Sequence, residues 1–225
     1  MRITALKLVL AVISVSAVIV LGAGRAAAPP PVPCPDLILH LRTSGGNLVL
    51  DTTAPGVGTA TFLDSPVLSR AGGNPYRLIG EWESGFVDGS TVAGCALEAL
   101  SPLHVWLGLR NSDDQGTNFD LRAEVYFKGS GPNSDPVLVA AAEQLCIKGV
   151  TRNPARAQEI MGSLQPTEFP VGDGDGEFLL KLSARIGTPQ NTCGGHASAT
   201  GLRVYYNSAD RDSRFDMFFF EDMCS

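Results

Sequence analysis

The feature that most constrains this chain is an alternation of period two that recurs across its middle. Leu103, Val105, Leu107 and Leu109 share one parity, with His104, Trp106, Gly108 and Arg110 on the other. After a polar connection from Asn111 to Asn118, the pattern resumes. Phe119, Leu121, Ala123, Val125 and Phe127 now alternate with Asp120, Arg122, Glu124, Tyr126 and Lys128. Successive strand side chains point to opposite faces, so this pattern reads as two strands, each with one buried face. The simplest reading joins them as a hairpin. Asp120 then lies on an exposed face with Arg122 and Glu124, within reach of Arg110 across the pair.

The same period marks Leu37–Arg42, Leu48–Asp51, Thr59–Leu63, Arg77–Trp82, Phe178–Ile186, Leu202–Tyr206 and Phe215–Phe220. Gly, Pro, Asn and Asp separate these runs, Gly45-Gly46-Asn47 being the tightest such turn. Val137–Ile147 holds three alanines and could be a helix, but a strand is preferred, because Val137, Val139, Leu145 and Ile147 share one parity and so one inward face. The stretch Thr151–Met161 alone suits a short helix, capped by Asn153 with Pro154 at its first position. About nine strands at this spacing predict an all-β fold, an antiparallel β-sandwich of jelly-roll or immunoglobulin-like type.

The N-terminus has a different character. Arg2 and Lys7 precede an apolar run to Leu21, and small residues follow as far as Ala28. That layout is a secretory signal peptide, residues 1–26. Residues 27–36 read as a proline-rich tether and 37–225 as one sandwich domain. If the signal is not cleaved, it becomes a membrane anchor. The expected location is therefore secreted or cell envelope. The chain carries −6, and losing Arg2, Lys7 and Arg25 with the signal takes it to −9. A nucleic-acid partner would need a basic footprint, so none is expected.

Five cysteines, Cys34, Cys95, Cys146, Cys193 and Cys224, all follow the signal, and an exported chain uses cysteines as disulfides. Cys146 and Cys193 sit beside strand ends with the strand Phe178–Ile186 between them. They pair if that strand neighbours the one ending at Cys146; the competing partner for Cys146 is Cys95. Cys34–Cys224 would then join the chain ends, leaving Cys95 free.

Candidate sites are few. Asp173, Asp175 and Glu177 around glycines could gather Ca²⁺, as could Asp113, Asp114 and Asp120. An ordinary strand connection or ion pairs explain the same residues. Calcium apart, no cofactor is expected. His40, His104 and His196 are too scattered for a zinc pattern. There is no Gly-x-Ser-x-Gly elbow and no cysteine beside a plausible base, so no catalytic residue is assigned. Trp106, Tyr126, Tyr205 and Phe218 could form a platform for sugar rings, or could lie under loops. The reading is a non-enzymatic binding or interaction module for a surface glycan or protein. The alternatives are a glycan-acting hydrolase or a purely structural envelope component.

Several strings carry a resemblance over most of the chain after the signal. They include Leu50–Pro55, Ile79–Trp82, Val105–Asp114, Phe119–Val125, Gly149–Pro154, Cys193–His196 and Ala199–Tyr206. Together they resemble a group of uncharacterised secreted bacterial β-sandwich domains. The resemblance implies an exported bacterial sandwich and passes on no catalytic residue.

Overall fold

The computed structural model describes residues 34, 36–85, 95–130, 134–166, 169–170, 176–188, 193 and 195–221. In chain order the strands are β1 (Leu37–Ser44), β2 (Asn47–Asp51), β3 (Thr61–Asp64), β4 (Leu68–Ser69), β5 (Arg77–Ser84) and β6 (Cys95–Leu100). β7 (Leu103–Leu109), β8 (Phe119–Gly129), β9 (Val137–Ile147), β10 (Gln158–Gly162) and β11 (Gln165–Pro166) follow. The rest are β12 (Phe169–Pro170), β13 (Gly176–Ile186), β14 (Ser198–Ala199), β15 (Leu202–Tyr206) and β16 (Arg214–Glu221). That is sixteen where about nine were expected from turn spacing. Much of the excess is two-residue strands, β4, β11, β12 and β14, too short to show a period in sequence. Among the described residues no helix is long and apolar enough to cross a membrane.

One chain of hydrogen-bonded neighbours runs β11-β9-β8-β13-β5-β2-β1-β16-β7-β15-β3, with β10 added on β7 and β6 on β16. It bends at the short parallel junction of β2 and β5, which pairs only Val49 with Glu83 and Leu50 with Ser84. Past that bend the two halves lie face to face as a β-sandwich. Trp82 of β5 meets Tyr206 of β15 edge-on, centroids 5.8 Å apart, and Phe178 of β13 meets Phe219 of β16 at 6.4 Å. The alternating residues of β8, Phe119 to Phe127, are all buried, as are Phe178 to Ile186 on β13 beside it. Each such side chain contributes about 1.5–3 kcal/mol when fully withdrawn from water. The β1–β2 hairpin turns on Gly45 and Gly46 at φ +59° and +89°. This is the type I′ geometry that suits strand twist and favours glycine at both positions.

The structure corrects the hairpin expected of β7 and β8. β7 pairs with β10, β15 and β16, whereas β8 pairs with β9 and β13. Leu103 and Val105 line one small cleft together with Leu121 and Ala123. The two apolar stripes therefore oppose each other from different layers. The connection crosses between layers, through a 3₁₀ turn at Ser112–Asp114. It is longer than the two to five residues typical of a hairpin loop.

The expected helix shrinks to a 3₁₀ turn, Pro154–Arg156. Asn153 caps it as anticipated, its side chain accepting from the Ala155 N–H. Ala157 is already extended, and Gln158–Gly162 is drawn into pairing with the free edge of β7. The expected inward face of β9 also fails in part. Val137 and Leu145 are exposed because register shifts interrupt the β8–β9 ladder.

Cys146 is bonded to Cys193, Cα atoms 5.4 Å apart, within normal disulfide reach. The route differs from the one reasoned, since β8 lies between β9 and β13. Cys193 reaches back because its sulfur packs directly on Gly187, where an added Cβ would collide with it. Cys34 pairs with Cys95, Cα atoms 5.9 Å apart, and not with Cys224, so Cys95 is not free. The cause is register. Leu37 pairs with Met217 and Cys95 with Glu221, bringing both cysteines to the same end of β16. Cys224, the signal segment and most of the tether lie outside the described residues.

Candidate functional site

The acidic residues singled out in the sequence are dispersed. Asp113 exchanges hydrogen bonds with Asn111 at the exposed turn. Asp114 is buried, and its Oδ2 accepts from both the N–H and the hydroxyl of Thr200. Asp120 is fully buried, not exposed as its strand parity suggested. Its Oδ1 accepts from the Cys146 N–H at 2.9 Å and its Oδ2 from Arg185 Nε at 2.9 Å. The cause is the irregularity in β9, where Cys146 at φ +55° interrupts the ladder and offers its N–H to Asp120. Arg110 pairs instead with Asp64. Glu177 takes the Lys128 amine across the β8–β13 ladder at 2.8 Å, a bond that holds the amine above its ordinary pKa. Asp173 and Asp175 lie outside the described residues. Among the described residues no three His, Cys, Asp or Glu groups converge as metal ligands would.

The histidines do not meet either. His40 is buried, its Nδ1 2.7 Å from Asp212 Oδ1, while Arg214 takes the other oxygen of Asp212. His104 Nδ1 lies 2.8 Å from Glu159 across the β7–β10 ladder, and His196 is exposed. Ser213, next to Asp212, is buried and engaged with the backbone. Its hydroxyl donates to the Tyr205 carbonyl and accepts from the Trp106 N–H.

The aromatic residues are where the structure adds most. Tyr126 and Phe218 are half-buried, as is Trp106, whose ring carries the Arg211 guanidinium 4.6 Å above it. Tyr205 is buried, at 3% exposure, which favours the covered-face reading of these aromatics over an exposed Trp106–Tyr205 platform. Its ring lies across Gly108, where any Cβ would come within 2.8 Å of it. Beside Tyr205 the exposed ring is Phe62, 45% accessible and set edge-on to it at 6.2 Å; Phe220, on β16, is exposed to the same degree. Arg203 covers part of Phe62 at 3.6 Å and forks onto both oxygens of Asp64. Above all the Asp64 bond holds the Arg203 guanidinium above its ordinary pKa, with a smaller contribution from the nearby Tyr205 hydroxyl. Yet no donor or acceptor meets that hydroxyl at hydrogen-bonding geometry.

These side chains line a groove of about 330 Å³. Phe62, Tyr205 and Arg203 belong to the outer face of β3 and β15. Pro154 comes from one 3₁₀ turn, and Asp210 and Arg211 from the second, Ala209–Arg211. The volume is at the lower end of small-ligand sites. Sequence reasoning missed Phe62, Arg203 and Arg211. The parity of Arg203 and Tyr205 was a usable signal. The meeting of two turns over that face was not written in any local pattern.

No protein-family model matches the sequence, and no curated protein does. One solved structure supports the β architecture, and others superpose less well. An aminopeptidase from a marine-sediment archaeon, Thaumarchaeota archaeon, superposes with a TM-score of 0.53 at 8% identity over 83% of this chain and 37% of that one. A CocE/NonD family hydrolase from Staphylococcus aureus gives 0.49 at 13% identity, covering 86% of this chain and 38% of that one. An infectious bursal disease virus structure, Gt strain, gives 0.31 at 14% identity, covering 80% and 42%. The chain thus spans well under half the length of these neighbours. At such identities the likeness is one of β architecture alone.

Proposed function

We propose that the protein is an exported, non-enzymatic binding module whose groove seats a surface glycan. The observation that carries this reading is the Phe62 ring, exposed at the edge of a mostly apolar concavity in which Arg203, Asp210 and Arg211 supply the charged groups. An exposed ring suits the apolar face of a sugar, and guanidinium and carboxylate groups suit its hydroxyls. Export is supported by the N-terminal layout and by two disulfides, which persist in oxidising compartments. Hydrolysis is less well supported. It asks for two carboxyl groups roughly 5 to 10 Å apart across the bond to be cut. Asp210 is the one carboxylate among the described groove-lining residues, and nearby Asp64 is engaged by Arg203 and Arg110.

A glycan-array screen of the exported protein, repeated with Phe62→Ala, tests this. Binding to a defined set of glycans that Phe62→Ala abolishes is the expected result. An array without binding, or binding indifferent to Phe62, overturns the assignment of the groove.

A further inference from the structure

We infer that the groove selects an acidic sugar, a saccharide whose carboxylate docks on Arg211 while its ring lies against Phe62. This inference rests on the glycan-binding reading above. Arg211 is held in place but not neutralised. Its plane rests on Trp106, Nη1 donates to the Asp210 carbonyl at 2.6 Å, and Nη2 donates to the Pro154 carbonyl at 3.2 Å. Both acceptors are uncharged. A guanidinium has five N–H donors, so about three remain after these two. Among the described residues Arg211 forms no ion pair, whereas Arg203 beside it is matched by Asp64.

The surroundings add to the bias. Arg152 and Arg156, which flank the Pro154 wall, are exposed and form no ion pair among the described residues. Uncompensated positive charge gathers here on a chain whose formal charge is −6. Such a local excess draws anions to the concavity. Asp210 limits how much negative charge the ligand can carry, because its exposed carboxylate lines the same groove. It is suited to accept sugar hydroxyls and would repel a dense polyanion. A forked cation for a carboxylate, an acceptor for hydroxyls and one exposed ring together describe a uronic acid better than a neutral hexose.

Titration calorimetry on the exported protein with tetragalacturonate, cellotetraose and polyglutamate tests the inference. The expected result is tetragalacturonate binding at least tenfold tighter than cellotetraose, and weakening as salt rises. Arg211→Gln should remove that preference, Arg211→Lys should keep part of it, and Phe62→Ala should weaken both sugars. Equal binding of the two tetrasaccharides, unchanged by Arg211→Gln, overturns the acid preference and leaves the glycan reading standing. Polyglutamate binding as tightly as tetragalacturonate also overturns it, since any anion would then do. If neither sugar binds, the acid preference is overturned, and the array screen with Phe62→Ala decides the glycan reading separately.

Discussion

Two polar regions of the molecule use charge in opposite ways. At Asp114 and Asp120 the carboxylates are buried and engaged by Thr200, Arg185 and the Cys146 N–H. Around Tyr205 of β15, Arg211 keeps unused donors and the Tyr205 hydroxyl has no partner. A buried charge is tolerated only when paired and hydrogen-bonded, so the first region is accounted for as structure. The second is incomplete by the same standard. That difference, and not the number of charged residues, is what separates a scaffold from a candidate site.

If the first region is structural, disturbing it should cost stability and leave the groove unchanged. The largest effect is expected from Cys146→Ser with Cys193→Ser. The bond closes a separation of 47 residues, worth about 4 kcal/mol on the chain-entropy model. Urea unfolding of the double variant should show that loss. A loss below about 1 kcal/mol would mean that the surrounding hydrogen bonds hold the Cys193 segment without the bond.

Asp120→Ala comes next, at about 3 kcal/mol. Breaking a buried ion pair costs roughly 3–5 kcal/mol, and the lower figure applies because Arg185 keeps 23% exposure and can turn toward water. The Cys146 N–H also loses its acceptor. Asp120→Asn, which keeps an acceptor but no charge, should lose less. Equal losses would show that the charge matters and the retained acceptor does not.

These residues also show what the sequence could and could not reveal. The inward faces of β8 and β13 were legible because burial of one face leaves a period of two. That period says nothing about which sheet a strand joins, so β7 and β8 read as a hairpin although they face each other across the core. Parity placed Asp120 outside, and only the irregularity at Cys146 explains why it is buried. The groove was the least legible, because Phe62, Pro154, Tyr205 and Arg211 come from separate segments and meet only in the folded chain. Cys146–Cys193 was recoverable from strand ends, though by a route that omitted the intervening β8.

Asp51 supplies a smaller test at a partly exposed carboxylate. The Thr53 N–H foremost, then Arg42 and His40, hold its carboxyl below the ordinary value of 3.8, against the effect of burial. A carboxyl depressed in the folded state adds stability above its unfolded pKa, and that stability is lost as pH falls through the folded value. Asp51→Asn should therefore flatten the acid limb of the stability profile below about pH 4, by less than about 1 kcal/mol. NMR titration should place the Asp51 midpoint under 3.8. A midpoint at or above that value would remove the Thr53 bond from the account.

The smallest expected change decides the comparison. Arg211 is half-exposed, its hydrogen bonds go to carbonyls at the surface, and its guanidinium rests on one face of Trp106. If that arrangement exists to hold the fold, Arg211→Gln should cost as much as other lost cation–π contacts and hydrogen bonds, about 1–2 kcal/mol. If it exists to present an unpaired charge, removing the charge relieves as much as it loses, because Arg152 and Arg156 flank the same wall. Stability should then stay within about 0.5 kcal/mol of the parent, as for ordinary surface substitutions. Urea unfolding of Arg211→Gln beside Asp120→Ala measures both regions on one scale. A loss at Arg211 comparable to that at Asp120 would place the guanidinium among the structural charges and remove the distinction between the two regions.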